Sequence, residues 1–213
     1  MRVTDLQSAG QPPAAWLTLA RPMFRLRTHT SAAWLAAVLG DFDAFLQDHA
    51  ANERKASASA MTLAVHYPER RALVDAMVEL AGEELEHFGQ VYALLVGRGL
   101  TLGVDTADPY MSGLTRLMRK RHMEHFLLDR LLVFGIVEAR GCERFETLAP
   151  ALSDPTLRAF YAGLTRAEAR HHGLFVRLAH ATAPRTVVAA RLDALLDAEA
   201  AIVAALPARA AVH

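Results

Sequence analysis

The chain has 213 residues, 53% of them hydrophobic and only 7% aromatic, with 23 basic and 23 acidic side chains and so no formal net charge. That length suits one compact domain with a sizeable core, and the Ala- and Leu-rich composition favours helix over sheet. A neutral chain has no global field for nucleic acid or a membrane surface, so any such partner must be met by a local patch. The single cysteine, Cys142, excludes a disulfide framework and any CxxC metal site, and fits a reducing compartment. The opening residues MRVTDLQSAGQPPAAW lack the apolar stretch of a signal peptide. The longest apolar run, SAAWLAAVLG, is too short to span a bilayer. A cytoplasmic protein without a membrane partner is expected.

Residues 1–30 read as an irregular segment with Pro12, Pro13 and Pro22 and a small basic group, Arg21, Arg25 and Arg27. The remainder, 31–213, reads as one helical domain. A short helix is predicted from Ser31 to Leu39. A first hairpin runs from about Asp41 to Val65, turns at HYPE, and returns from about Glu69 to Arg98, with Pro68 placed in the first turn of the returning helix. A Gly-containing connection, GLTLGVDTADPYMSG, leads to a helical stretch from about Leu114 onward. A second hairpin runs from about Met123 to Leu148, turns at APALSDP, and returns from about Thr156 to Ala181, with Asp154 as N-cap before Pro155. A last amphipathic helix covers about Thr186 to Leu206. No segment alternates as a strand does.

The apolar period in the hairpins raises a chemical question. In the second helix the seam reads Leu73, Met77, Leu80, Glu84, His87, Val91, Leu94, with steps of three and four. The returning helix of the second hairpin repeats it: Leu157, Tyr161, Leu164, Glu168, His171, Phe175, Leu178. The first helix of each hairpin adds one seam carboxylate, Glu53 after Phe42, Leu46 and His49, and Glu138 after Leu127, Leu131 and Phe134. The pattern E…ExxH thus occurs twice at an offset of 84 or 85 residues, an internal repeat. At ~1.5 Å per residue, Glu53 and Glu84 both lie about 21–24 Å from the HYPE turn. Glu138 and Glu168 are similarly matched about theirs. Side-by-side packing of the hairpins then puts four carboxylates and two imidazoles in one layer.

Buried unpaired carboxylates are expensive, and four together repel. Protons or cations must neutralise them, and two divalent metals offset four carboxylates. A Glu from each of two helices plus ExxH from the other two is the ligand set of ferritin-like di-iron and di-manganese bundles, and such a site suits iron or manganese. One ExxH is weak; two on core seams, each with a level Glu, are specific. The expected fold is therefore all-α, a ferritin-like four-helix bundle of two antiparallel hairpins with additional N- and C-terminal helices. Glu83, Glu86, Glu143 and Glu146 fall off the seams and read as solvated charges or as supports of the ligands.

Longer strings carry a more specific likeness. ANERKAS, AGEELEHFGQVYALLVGRG, LLDRLLVFGIVEARGCERFETLAPAL and LRAFYAGLTRAEARHHGLFVRLA resemble the bacterial tRNA hydroxylases that act on 2-methylthio-N6-isopentenyladenosine at position 37. The resemblance covers roughly residues 30–180. It implies an O2-dependent di-iron monooxygenase that hydroxylates the isopentenyl group. By position, Glu53, Glu84, His87, Glu138, Glu168 and His171 carry over as ligands of two iron ions. An external electron donor, a reductase or ferredoxin, is implied, as is docking of the tRNA anticodon loop. Tyr161 and His49, one or two turns from the ligands, read either as supports of the centre or as packed core residues. Leu80, Phe134, Leu164 and Phe175 are the candidate apolar wall for the flipped nucleotide.

The best cation cluster for tRNA phosphates is RLMRKRHMEH, with Arg116, Arg119, Lys120, Arg121 and His122; RPMFRLR is second. Each reads equally as a solvated face. Other readings are a di-iron monooxygenase of an isoprenoid or quinone-like small molecule, a non-enzymatic iron- or manganese-binding protein, and a metal-free interaction bundle. Oligomeric state stays open, a monomer being compatible with all of them.

Overall fold

The computed structural model describes residues 24–213 of the chain. Among them, helices run in the order α1 Ala32–Gly40, α2 Phe42–His66, α3 Arg71–Gly97, α4 Pro109–Arg116, α5 Met123–Leu148, α6 Pro155–Thr182 and α7 Arg185–Ala205, with a 3-10 turn at Ala149–Ala151. No strand occurs among the described residues, so the all-α expectation holds. The long helices pack as two hairpins, α2 with α3 and α5 with α6.

The direction of each hairpin follows from contacts at its ends. Arg98 reaches back to Asp43 at the start of α2, whereas the turn after α2 lies beside the start of α5. There Tyr67 donates to the Met123 carbonyl at 3.4 Å and Arg70 pairs with Glu124. Residues 98–122 must therefore travel the length of the bundle. They do so along α2: Gln47 bonds the backbone of Thr101 and Gly103, and Arg54 pairs with Asp105 further on. Gly99, at φ 75°, ends α3 in the left-handed conformation that favours glycine, and Leu100 N–H closes the turn on the Leu95 carbonyl.

Local signals account for most boundaries. Ser31, Asp41, Asp108 and Asp154 each cap a helix through the side chain. Two expectations are corrected. The fourth helix begins at Pro109 rather than near Leu114, because Asp108 caps it and Pro109 presets its first turn, the same signal as Asp154–Pro155. Pro68 lies in the hairpin turn, and α3 starts only at Arg71.

The seams are buried as predicted, with one regular drift. At the end of α3 the fully buried residue is Leu95, not Leu94, and at the end of α6 it is Ala179, not Leu178. A nearly straight α-helix precesses ~20° per heptad against a 3.5-residue repeat, which moves the buried stripe by one position after about three heptads. Helix α5 is buried on most of its circumference, because α6 covers one side and α7 another.

Two buried ion clusters attach the remaining parts. Arg140 and Glu199 are both fully buried; Arg140 donates to Glu199 from Nε at 2.9 Å and Nη2 at 3.2 Å, and Tyr110 O–H donates to the same carboxylate at 3.0 Å. Arg140 also donates to Glu143 at 3.0 Å and to the Thr28 carbonyl at 3.0 Å. This group joins α4, α5, α7 and the residues before α1. Beyond α7 the chain folds back: Trp34 Nε1 donates to the Ala211 carbonyl at 2.8 Å and Val212 N–H to Asp48 at 2.7 Å. Residues 24–30 contain no helix, and Thr30 and Arg27 are bonded to Glu143 and to Asp193 and Asp197; the rest of the segment read as irregular lies outside the described residues.

Removing one partner of a buried, hydrogen-bonded ion pair leaves the other uncompensated. Glu199→Ala is expected to lower stability by about 3–5 kcal/mol, read as a shift of the urea unfolding midpoint.

Candidate metal centre

The hairpins bring all six seam residues into one layer. Ligand atoms of Glu53, Glu84, His87 and Glu168 lie within 4.8 Å of one another, as do those of Glu84, Glu138 and His171. Glu84 belongs to both groups. Its Oε1 is 2.9 Å from His171 Nδ1 and its Oε2 is 3.2 Å from His87 Nδ1, so one carboxylate stands between the two imidazoles. Glu53, Glu84, Glu168 and His171 are buried, while His87 and Glu138 are part-buried.

Electrostatics shows what the layer requires. Burial, reinforced by the facing carboxylates, raises Glu53 and Glu168 well above the usual range, and burial carries Glu138 to about 8. Glu84 is the exception: burial would raise it too, but the imidazoles of His171 and His87 close beside it hold it below the usual carboxylate range. His171 is penalised by burial, yet Glu83 and Glu84 carry it up to about 10. As a bare polypeptide the layer thus keeps itself together with protons. His171 Nδ1 is buried and, although close to Glu84, is not aligned for a hydrogen bond. Oxygen-rich donors with two imidazoles and one misaligned buried nitrogen fit a pair of divalent metals that would take the place of those protons.

Further residues brace the layer. His49 bridges Tyr161 O–H, 3.2 Å from its Nδ1, to Glu53 Oε1, 2.6 Å from its Nε2. Burial lowers His49 to about 3, so the ring is neutral and bridges the two groups with one donating and one accepting nitrogen. Between the two readings left open by the sequence, the hydrogen bonds favour support of Glu53. Glu83 holds the outer side of His171, with Oε2 3.1 Å from Nε2, and Arg170 pairs with the same oxygen at 3.2 Å. Its neighbour Glu86 is exposed and accepts from Gln90 on its own helix. His172 turns the other way, its Nδ1 on the Gly135 carbonyl at 3.0 Å.

A cavity of about 320 Å³ opens against the layer. Glu53, Glu84, Glu138 and Glu168 stand in its wall, with Leu80, Phe134, Val137 and Phe175 as apolar surface and Asn52, Lys55, Ser59, Asp108 and His213 as polar surface. Three of the four predicted wall residues are there. Leu164 is not: it packs with Trp34, Phe45, Phe145 and Tyr161 in a separate core at the other end of the bundle. It precedes Glu168 by one turn, and the cavity opens mainly on the far side of the layer, where Phe175 follows His171 by one turn, with Phe145 of that core at its edge. Asp108, Met111, Val212 and His213 reach the cavity from outside the hairpins, and no seam pattern points to them.

The family profile described as tRNA-(MS[2]IO[6]A)-hydroxylase (MiaE) matches residues 18–213. The chain belongs to this family. The match extends beyond the stretch in which the resemblance was legible, through α7 to the residues that fold back on α2. A tRNA 2-(methylsulfanyl)-N(6)-isopentenyladenosine(37) hydroxylase from Pseudomonas putida is 43% identical over 151 residues, 71% of this chain and 73% of that protein. The protein of the same name from Salmonella typhimurium is 40% identical over 132 residues, 62% of this chain and about half, 48%, of that protein. A solved structure, "Protein 43 with aldehyde deformylating oxygenase activity from Synechococcus", superposes with a TM-score of 0.83 at 37% identity, covering 88% of this chain and 93% of that one. This MiaE-family chain is thus a ferritin-like bundle, as its seams imply.

The predicted cation cluster divides on inspection. Arg119 is not a free surface cation. Its guanidinium and its backbone N–H all bind Asp129, a fully buried carboxylate that also holds Arg191. It ties the connection to α5 and α7, so substituting it tests stability rather than RNA binding. Arg116, Lys120, Arg121 and His122 are exposed. In the second cluster Arg27 is engaged by Asp193 and Asp197, Arg25 is exposed, and Arg21 lies outside the described residues. Among the described residues no helix is long and apolar enough to cross a membrane.

Gln is isosteric with a protonated Glu. Glu168→Gln is therefore expected to change the stability of the metal-free protein by less than about 1 kcal/mol. The unsubstituted protein should gain about 2.7 kcal/mol when Mn(II) is at a hundred times its dissociation constant, and Glu168→Gln should lose most of that gain. Urea unfolding with and without Mn(II) reads both.

Proposed function

We propose that the chain is an O2-dependent di-iron monooxygenase that hydroxylates the isopentenyl group of 2-methylthio-N6-isopentenyladenosine at position 37 of tRNA. The observation that carries this reading is the cavity, whose wall combines the carboxylate layer, apolar side chains and a smaller set of polar ones. An isoprenoid tail on a nucleobase presents matching apolar and polar surfaces. Membership of the MiaE family supports the same substrate. With two iron ions bound by Glu53, Glu84, His87, Glu138, Glu168 and His171, the centre would supply O2 activation, with electrons from a reductase or ferredoxin.

The protein's own residues have separable tasks in this reading. Glu84, set between His87 and His171, would serve as a ligand in both halves of the centre. His49 and Tyr161 orient Glu53, and Glu83 orients His171. Leu80, Phe134 and Phe175 enclose the isopentenyl group and keep water from it. The cavity holds a base and its tail but not a folded RNA loop, so the nucleotide leaves its stack to enter. Arg116, Lys120 and Arg121 then lie to receive backbone phosphates. Arg116 is on the same helix as Met111, which lines the cavity, about 7.5 Å further along it. A cytoplasmic site of action follows from the substrate.

The aldehyde deformylating oxygenase activity of the Synechococcus protein favours a second reading, oxygenation of an apolar small molecule such as an aldehyde. The polar residues of the lining, Asn52, Lys55, Ser59 and Asp108, argue for the nucleotide. Nucleoside profiling of tRNA from cells with and without the protein separates the two. The hydroxylated isopentenyl adenosine should disappear with the protein, and an unchanged profile would defeat the tRNA reading. For docking, Lys120→Ala combined with Arg121→Ala should weaken tRNA binding severalfold, flatten its salt dependence and leave metal content alone. Filter binding at two or more salt concentrations checks this, and equal affinity at each would remove the role.

A further inference from the structure

We propose that Asp108 and His213 form a base-reading subsite in the outer part of the cavity, an acceptor and a donor that recognise the amine edge of the flipped adenine. The inference rests on the tRNA-hydroxylase reading and adds to it a means of selecting the base.

Three buried polar atoms in this region have no hydrogen-bond partner among the described residues: Asp108 Oδ2, His213 Nδ1 and His213 Nε2. The side chains are only 12% and 7% exposed. Oδ2 and Nδ1 are 3.6 Å apart, too far for a hydrogen bond between them. Unsatisfied buried groups are costly, and their clustering in the wall of one cavity calls for a polar ligand. His213 also borders a second hollow, beside Tyr110 and Arg144, but its Nδ1 is on the Asp108 side.

Both residues are held in place without using these atoms. Asp108 caps α4 with Oδ1, which accepts from Met111 N–H at 3.0 Å, and so leaves Oδ2 free. The His213 ring stacks on Tyr110 with centroids 5.0 Å apart and planes 13° from parallel. Tyr110 is in turn fixed by Glu199. The backbone of Val212 is clamped from both sides, by Asp48 at its N–H and Arg144 at its carbonyl. Pre-organised donors and acceptors of this kind select by pattern, since a mismatched partner leaves them unpaired.

The pattern is that of adenine. Its amine edge presents an N–H donor beside a ring-nitrogen acceptor, and an N6-alkyl adenine retains one amine N–H. Asp108 would accept from that N–H, and the His213 imidazole N–H would donate to the adjacent ring nitrogen. The alkyl group then continues inward between Leu80, Phe134 and Phe175. A volume of about 320 Å³ is near the lower end of small-molecule pockets, which suits a base with its tail while ribose and phosphates stay outside.

The test exchanges the pattern without disturbing the supports. Asp108→Asn keeps a capping oxygen and replaces the free acceptor by an amide donor. His213→Phe keeps the ring on Tyr110 and removes both nitrogens. The probes are two anticodon stem-loop RNAs, one with N6-isopentenyladenosine at position 37 and one with the O6-isopentenyl inosine isostere, which has an acceptor where the first has N–H. Equilibrium binding to the purified full chain should favour the N6 probe by about tenfold or more. Asp108→Asn should abolish or reverse that preference, and His213→Phe should weaken both probes by about tenfold, with metal content unchanged in each. Equal binding of the two probes by the unsubstituted protein, or an undiminished preference in Asp108→Asn, would overturn the subsite and leave water as the partner of these atoms. If tRNA profiles still depend on the protein, that result removes the subsite alone. If the profiles do not, and neither RNA binds, the tRNA reading falls with it.

Discussion

Four carboxylates that face one another inside a helical bundle cannot all be charged and unaccompanied. In a medium of low polarity their repulsion and lost hydration far exceed what the surrounding apolar contacts contribute. The fold is organised around that constraint. Glu53, Glu138 and Glu168 are pushed toward the neutral form, and Glu84 stays anionic only because His171 and His87 contact it. The layer divides the interior into two apolar regions. One, with Trp34, Phe45 and Leu164, is closed packing; the other, with Leu80, Phe134 and Phe175 on its edge, leaves most of the cavity.

The remaining polar residues of the interior are paired outside the layer, and their pairing decides what reaches the cavity. Arg140 and Glu199 fasten α7 and α4 to α5, and Asp129 fastens the end of the long connection through Arg119 and Arg191. With α4 fixed in this way, Asp108 and Met111 become cavity residues, although they belong to a loop and a short helix outside the four-helix core. Ion pairs so deeply buried add little net stability over apolar replacements. Their effect here is positional: they hold the walls of a site that the bundle alone would leave open.

The hairpins, the two ExxH elements and their shared depth were legible in the sequence because each depends on local spacing. The i, i+3 step puts Glu84 beside His87 on one helical face whatever the tertiary context, and distance from a turn is counted along the chain. The choice of His171 over His172 followed from the seam, and the two rings do point in opposite directions. Where local reasoning failed, a longer-range fact intervened. Leu164 shares its seam with Phe175, but the side of the layer on which space remains depends on how the hairpins pack. Arg119 looks like its neighbours in a basic run until Asp129 is brought to it. Glu83, one residue off the seam, becomes the partner of His171 only because α3 and α6 are adjacent.

The sequence by itself determined an all-helical bundle with a repeated carboxylate and imidazole device, since periodicity, capping and spacing are properties of single helices. Tertiary structure alone decided that Glu84 is the residue common to both halves of the device, which side of the layer holds the cavity, and that residues as distant as Asp108 and His213 complete its wall. Those outcomes depend on contacts between elements far apart in the chain, where side-chain volume and buried charge, not local periodicity, select the arrangement.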